Sequence, residues 1–103
     1  PNWISRLLEN PEFLALTISR WKQKRPALEK FVDASIDTYA RRLEAAQQRN
    51  FERWPIFGVP LTNYYVFSNH AEEVAFVKRF LSERMAWLDK AYASPAAFDV
   101  LCR

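Results

Sequence analysis

Between residues 28 and 54, Leu28, Val32, Ile36, Tyr39, Leu43, Ala46, Asn50 and Trp54 recur at steps of four or three. Only an α-helix returns side chains to one face at that interval, so the stretch predicts an amphipathic helix that stops at Pro55. The opposite face carries Lys30, Asp37, Arg41, Glu44 and Gln48, with Asp37 and Arg41 at the i,i+4 spacing of a surface ion pair. A β-sandwich or barrel needs many tight turns, and such turns favour glycine. The 103 residues contain one glycine, Gly58, so the expected fold class is all-α.

Other segments carry helix signals of their own. A short first helix follows Asn2 as its cap, with Ile4, Leu7 and Leu8 on one side. Asn10-Pro11-Glu12 supplies a cap, a first-turn proline and an acid at the positive end of the helix dipole. A second helix is expected from Pro11 to about Lys24, with Leu14, Ile18 and Trp21 on one stripe, and Pro26 is expected to separate it from the long third helix. Asn69-His70-Ala71-Glu72 has the form of a capping box, and the fourth helix runs from there to about Tyr92. At about 100° per residue its apolar side chains, among them Phe76, Val77, Phe80, Met85 and Trp87, fill about half the circumference, which implies more than one neighbour. Ser94-Pro95 can cap a short last helix bearing Phe98 and Leu101. The expectation is a compact bundle of about four helices plus short terminal ones, in one domain over residues 1–103, with the third and fourth helices as the main pair.

The segment between those two helices is the anomaly. From Trp54 to Phe67 the chain reads WPIFGVPLTNYYVF. Two prolines and the glycine exclude a continuous helix, yet the segment is strongly apolar. Residues 54–68 are expected to form a strap that lies across the bundle or docks onto something else. Trp54, Tyr64 and Tyr65 are its candidate docking side chains, and an exposed apolar patch or self-association through it is expected, because soluble monomers rarely leave large apolar patches open.

Several function classes are excluded or disfavoured. The net charge is +3 from 15 basic and 12 acidic side chains, interleaved as on an ordinary solvated surface, so no nucleic-acid partner is expected. Cys102 and His70 are single representatives of their types, so they cannot build a zinc site and no intramolecular disulfide is possible. No apolar run is long enough to span a bilayer. The sequence has no phosphate-binding glycine loop, nucleophile elbow, zinc-protease or EF-hand motif. Pro1 stands in place of an initiating methionine, and the chain is expected to be part of something longer.

Individual polar residues stand out by position. Arg84 falls inside the apolar arc of the fourth helix, where a guanidinium is costly unless paired, and it is expected to be buried and bonded to a carboxylate or to main-chain carbonyls. Asn50 interrupts the third helix's apolar stripe and can either bind the strap's backbone or stand partly exposed. His70, in a first helical turn without a second histidine or a cysteine nearby, reads as an exposed side chain. Glu72 and Glu73 point about 100° apart, a poor geometry for a catalytic carboxylate pair. No catalytic, cofactor-binding or metal-binding residue is nominated.

Three stretches resemble the C-terminal end of the spore-coat protein H (CotH) kinase family: NWISRLLENPEFLALTISRW, IDTYARRLEAAQQRNFERWP and EEVAFVKRFLSERMAWLD. The shared features are Trp3, Asn10-Pro11-Glu12-Phe13, the Arg20-Trp21 pair, Arg49 to Pro55, and Arg84 to Asp89, over roughly residues 2 to 92. The resemblance implies an atypical protein kinase that phosphorylates serine or threonine in partner proteins with ATP and a divalent metal, in spore coats or in secreted and surface-attached proteins. The family's nucleotide- and metal-binding acids map onto none of these residues, so no cofactor is expected in this chain. The expected role is a helical structural subdomain that buttresses the kinase lobe, with that upstream lobe as its partner. The alternatives are a stand-alone helical protein-interaction module and, third, a weak nucleic-acid binder using its arginines.

Overall fold

The computed structural model describes residues 3–62 and 64–102, and the Asn2 cap lies outside them. Four helices follow in order: α1 (Trp3–Leu8), α2 (Pro11–Arg53), α3 (His70–Ala91) and α4 (Pro95–Cys102). No strand occurs among the described residues, and the fold is all-α as expected.

Helix starts follow the chemistry of their caps. The Asn10 side-chain oxygen accepts from the backbone N–H groups of Glu12 (2.9 Å) and Phe13 (3.1 Å), filling donors that the first turn leaves unpaired. Asn69 accepts from the Glu72 N–H at 2.9 Å, but Glu72 reaches back to the N–H of Ser68 at 2.8 Å, one residue before the partner a strict capping box uses. Ser94 Oγ accepts from the Ala97 N–H at 3.1 Å, and Pro95 occupies the first helical position of α4.

One expected boundary is absent. Pro26 lies inside α2, which runs through the positions expected to divide two helices. An interior proline removes one helical hydrogen bond and costs about 3 kcal/mol, so favourable interactions on both sides must outweigh it. One of them brackets the ring: Arg25 and Glu29 pair at 3.0 Å across one helical turn.

The chain divides into two compact units. The first comprises Pro1–Lys30 and Ser82–Arg103. Its core is Leu14, Ile18 and Phe98, with Leu8 and Tyr92 packed against them, and Met85 and Ala91 are also buried. Burying each large apolar side chain contributes about 1.5–3 kcal/mol. The Tyr92 ring stacks on Phe98 at 5.8 Å and meets Trp21 at 6.1 Å. Polar contacts tie the same elements: Trp21 Nε1 donates to Asp89 Oδ1 at 2.9 Å, Arg25 Nε to Asp89 Oδ2 at 3.1 Å, and Lys22 Nζ to the Ala93 carbonyl at 3.0 Å, just past the end of α3.

The second unit, Phe31–Leu81, has no buried side chain among its described residues. Here the expectation that residues 28–54 and the fourth helix form the main pair is corrected: the buried core lies at the start of α2, the end of α3 and α4. Two helices cover only the facing strip of each other, and an apolar arc of half a circumference leaves the remainder open. What holds this unit is local: a Lys78–Asp37 ion pair at 2.9 Å and aromatic contacts of the strap with both helices. Asp37 thus pairs across helices and not with Arg41, whose guanidinium lies 3.5 Å from Thr38 Oγ1.

Candidate docking surface

The strap turns back on itself. The Val59 N–H donates to the Ile56 carbonyl at 3.1 Å, closing a turn whose third residue is Gly58 at φ 75°. A positive φ at that position is the mark of a type II turn and explains why the chain's single glycine stands here. The Gly58 N–H then donates to the Phe67 carbonyl at 2.9 Å, which joins the two limbs. Phe57 anchors one limb on Phe51 of α2, with ring centroids 3.9 Å apart. Phe67 anchors the other on Phe76 of α3 at 5.2 Å, and Tyr65 meets Phe76 at 4.7 Å.

The remaining strap side chains stay open. Tyr64 is 100% exposed, Tyr65 61% and Trp54 58%, and Leu61 and Val66 are exposed as well. The exposed apolar patch expected around Tyr64 and Tyr65 is therefore present. Arg53 covers one side of Trp54, its guanidinium 5.4 Å from the ring centroid.

A groove lies between α2 and α3 within the same unit. One depression of about 340 Å³ is lined by Tyr39, Leu43, Val74 and Val77, with Glu73 at its edge. A second, of about 380 Å³, is lined by Ala46, Asn50 and Phe51. Leu43 and His70 line both, so the two are continuous. A third depression of about 570 Å³, lined by Ala40, Glu44, Phe57 and Val74, shares His70 with them.

Two positions, Arg84 and His70, differ from their sequence reading, and Asn50 takes one of its two alternatives. Arg84 is exposed, not buried, and its guanidinium rests 4.4 Å from the Trp87 ring centroid one turn further on. The aliphatic stem can follow the apolar arc while the head reaches water over an aromatic face, so no buried partner is needed. Asn50 is exposed, and its link to the strap is made by its main chain, whose carbonyl accepts from the Trp54 N–H at 2.8 Å. His70 is half-buried in the groove and not an exposed side chain, because the α2 apolar stripe continues beneath the first turn of α3.

Ion pairing shifts the titration of Asp37, Lys78 and Arg25. Hydrogen bonding to Lys78 holds the Asp37 carboxyl below the usual carboxylate range, and the same bond raises Lys78. The bond to Glu29, aided by Asp89, raises Arg25, whose charge is fixed in any case. Among the described residues no three His, Cys, Asp or Glu side chains converge as a metal site would require, and no helix is long and apolar enough to cross a membrane.

Sequence reasoning missed Asp89 as an anchor.

The model of the family described as CotH kinase protein matches residues 1–88. The chain belongs to the CotH kinase protein family. No curated protein and no solved structure gives a significant match. The matched CotH region includes α1, α2, the strap and α3 as far as Leu88, so the strap and the groove lie wholly inside it.

Proposed function

We propose that this chain is the helical structural subdomain at the C-terminal end of a CotH-like atypical protein kinase, and that it buttresses the kinase lobe. The observation that carries this reading is the second unit's lack of any buried described side chain beside its exposed strap aromatics. Apolar surface of that extent needs a cover, and the remainder of a larger protein supplies one. The patch at Tyr64 and Tyr65 is the face assigned to the lobe.

ATP and a divalent metal, which the family implies, require acids that converge on the metal and a cradle for the phosphates. The described residues offer no such carboxylate cluster, and the one glycine turn opens among the strap's aromatics. They do not fit either group, and phosphoryl transfer to serine or threonine is assigned to another part of the protein. Export to a spore coat or cell surface belongs to the same proposal.

The test is phosphoryl transfer from ATP with magnesium or manganese, assayed on the purified chain and on the chain mixed with the catalytic portion of a CotH-family kinase. The chain alone is expected to transfer nothing and to bind the catalytic portion through the strap, with Tyr64→Asp and Tyr65→Asp weakening the complex. Metal-dependent turnover by the chain alone that survives repurification overturns the proposal.

A further inference from the structure

A fourth depression lies between the strap and α3 and shares only Glu73 with the groove. It measures about 350 Å³ and is lined by Thr62, Tyr64, Tyr65, Phe67, Glu73 and Phe76. Three of its rings pack on one another: Tyr65 and Phe67 lie 4.7 Å and 5.2 Å from Phe76, and 6.5 Å apart. Glu73 is half-buried beside them, and among the described residues its carboxylate has neither an ion pair nor a hydrogen bond.

Its surroundings do not neutralise it. The strap from Trp54 to Asn69 carries no charged side chain. Arg79 rests 5.6 Å from the Phe76 ring centroid, but it does not line the depression and stands about 120° round α3 from Glu73. The dipole of α3 favours an acid in its first turn, which accounts for Glu73 while water reaches it. Covering the patch changes that. Tyr64 and Tyr65 line this same depression, so a lobe seated on them takes water from Glu73 as well. A carboxylate withdrawn from water is strongly disfavoured unless a cation or hydrogen-bond donors replace that water. The packed rings favour the cation, which aromatic faces attract. Exposed rings of this chain already hold guanidinium groups, Arg42 over Tyr39, Arg53 over Trp54 and Arg84 over Trp87.

We infer that this depression receives a basic side chain of the kinase lobe, held by the charge of Glu73 and by the rings of Tyr65, Phe67 and Phe76. The inference rests on the reading that a lobe covers the strap, and it names the group that the lobe brings. Arginine fits better than lysine, because a planar guanidinium both stacks on rings and offers paired N–H groups to a carboxylate. The apolar patch supplies contact area, while the ion pair fixes where the lobe sits. A purely apolar cover makes the opposite demand on position 73, since burying an unpaired carboxylate opposes docking.

The experiment has two arms. In the first, N-acetyl-arginine amide and its uncharged analogue N-acetyl-citrulline amide are titrated into the purified chain, and the ring protons of Tyr65 and Phe76 are followed by NMR. The arginine probe is expected to shift them and the citrulline probe to leave them in place, with the shifts lost in Glu73→Gln. No shift, equal shifts from both probes, or shifts that Glu73→Gln retains overturn the inference. In the second arm, binding of the catalytic portion of a CotH-family kinase is compared between the unaltered chain, Glu73→Gln and Glu52→Gln, the last an exposed α2 glutamate that does not line the depression. Glu73→Gln is expected to weaken the complex about tenfold at unchanged helicity, and Glu52→Gln to leave it as it is. A complex that Glu73→Gln strengthens or leaves unchanged has an uncharged cover, which overturns the inference while the lobe reading stands. Absence of any complex defeats the lobe reading and, with it, the lobe as the source of the side chain, a failure that the first arm tells apart from failure of the pocket.

Discussion

The indole N–H of Trp21 donates to Asp89 Oδ1 at 2.9 Å, joining residues 68 apart in sequence. Trp21 ends the first stretch through which the chain resembles CotH kinases, and Asp89 ends the last. Asp89 also receives Arg25 Nε, so one carboxylate ties the end of α3 to two successive turns of α2 beside the Leu14–Ile18–Phe98 core. The tryptophan and aspartate of those motifs are therefore two halves of one contact.

Asp89→Ala removes that anchor. Loss of a hydrogen bond to a charged acceptor costs about 1–3 kcal/mol, and the partial exposure of Asp89 places the effect near the lower end. A drop in Tm of about 4–8 °C is expected in thermal unfolding. Asp89→Asn keeps an acceptor for the indole and should lose less. An unchanged Tm for Asp89→Ala would mean that the contact holds nothing.

Arg84→Ala and Arg79→Ala are expected to unfold within about 0.5 kcal/mol of each other. Both guanidinium groups are exposed over aromatic rings on α3, Arg84 over Trp87 and Arg79 over Phe76. Denaturant titration of the two variants checks this. A markedly larger loss for Arg84 would restore the buried role that its place on the apolar arc suggests.

The contrast between Arg84 and Asn10 shows what was legible in the sequence. Asn10, Asn69 and Ser94 act within their own helix starts, and local hydrogen bonding dictates their roles wherever the helices go. The all-α class follows in the same way from short-range periodicity and the single glycine. The reach of Arg84, the continuation of α2 through Pro26 and the placing of the core depend on which neighbours arrive, and no local pattern encodes that. The strap's exposure was legible because it follows from an excess of apolar residues over available partners. The groove was not, because it needs the pairing of residues 35–51 with 70–77 to exist first.

Gly58→Ala tests the strap's turn. A β-carbon built at Gly58 meets nothing within 4 Å, so the penalty is confined to the backbone. Holding alanine in the left-handed region costs about 1–2 kcal/mol. The expected result is faster exchange of the residue-58 amide, which is bonded to the Phe67 carbonyl, with little change in global unfolding. Unaltered exchange would show that the turn does not need glycine.

The Lys78–Asp37 pair should leave a pH signature. Asp37 is depressed, so its contribution is present above the ordinary carboxylate pKa and is lost as pH falls through the lowered value. Lys78 is raised, so its contribution is complete below the ordinary ammonium pKa and is lost as pH rises through the raised value. The coupling between Asp37→Asn and Lys78→Met in a double-mutant cycle is expected to be favourable at neutral pH and to shrink in acid, in strong alkali and in high salt. A coupling that salt leaves unchanged would contradict a solvent-screened pair.

Amide hydrogen exchange on the isolated chain measures most directly whether the second unit lacks cover. Slow exchange is expected around Leu14, Ile18, Met85, Ala91 and Phe98, where side chains are buried, and fast exchange through residues 31–53 and 70–81, where none is. Addition of the catalytic portion of a CotH-family kinase should then slow exchange in the second unit. Equal protection of both units in the isolated chain, with no change on addition of the catalytic portion, would contradict a face built to be covered.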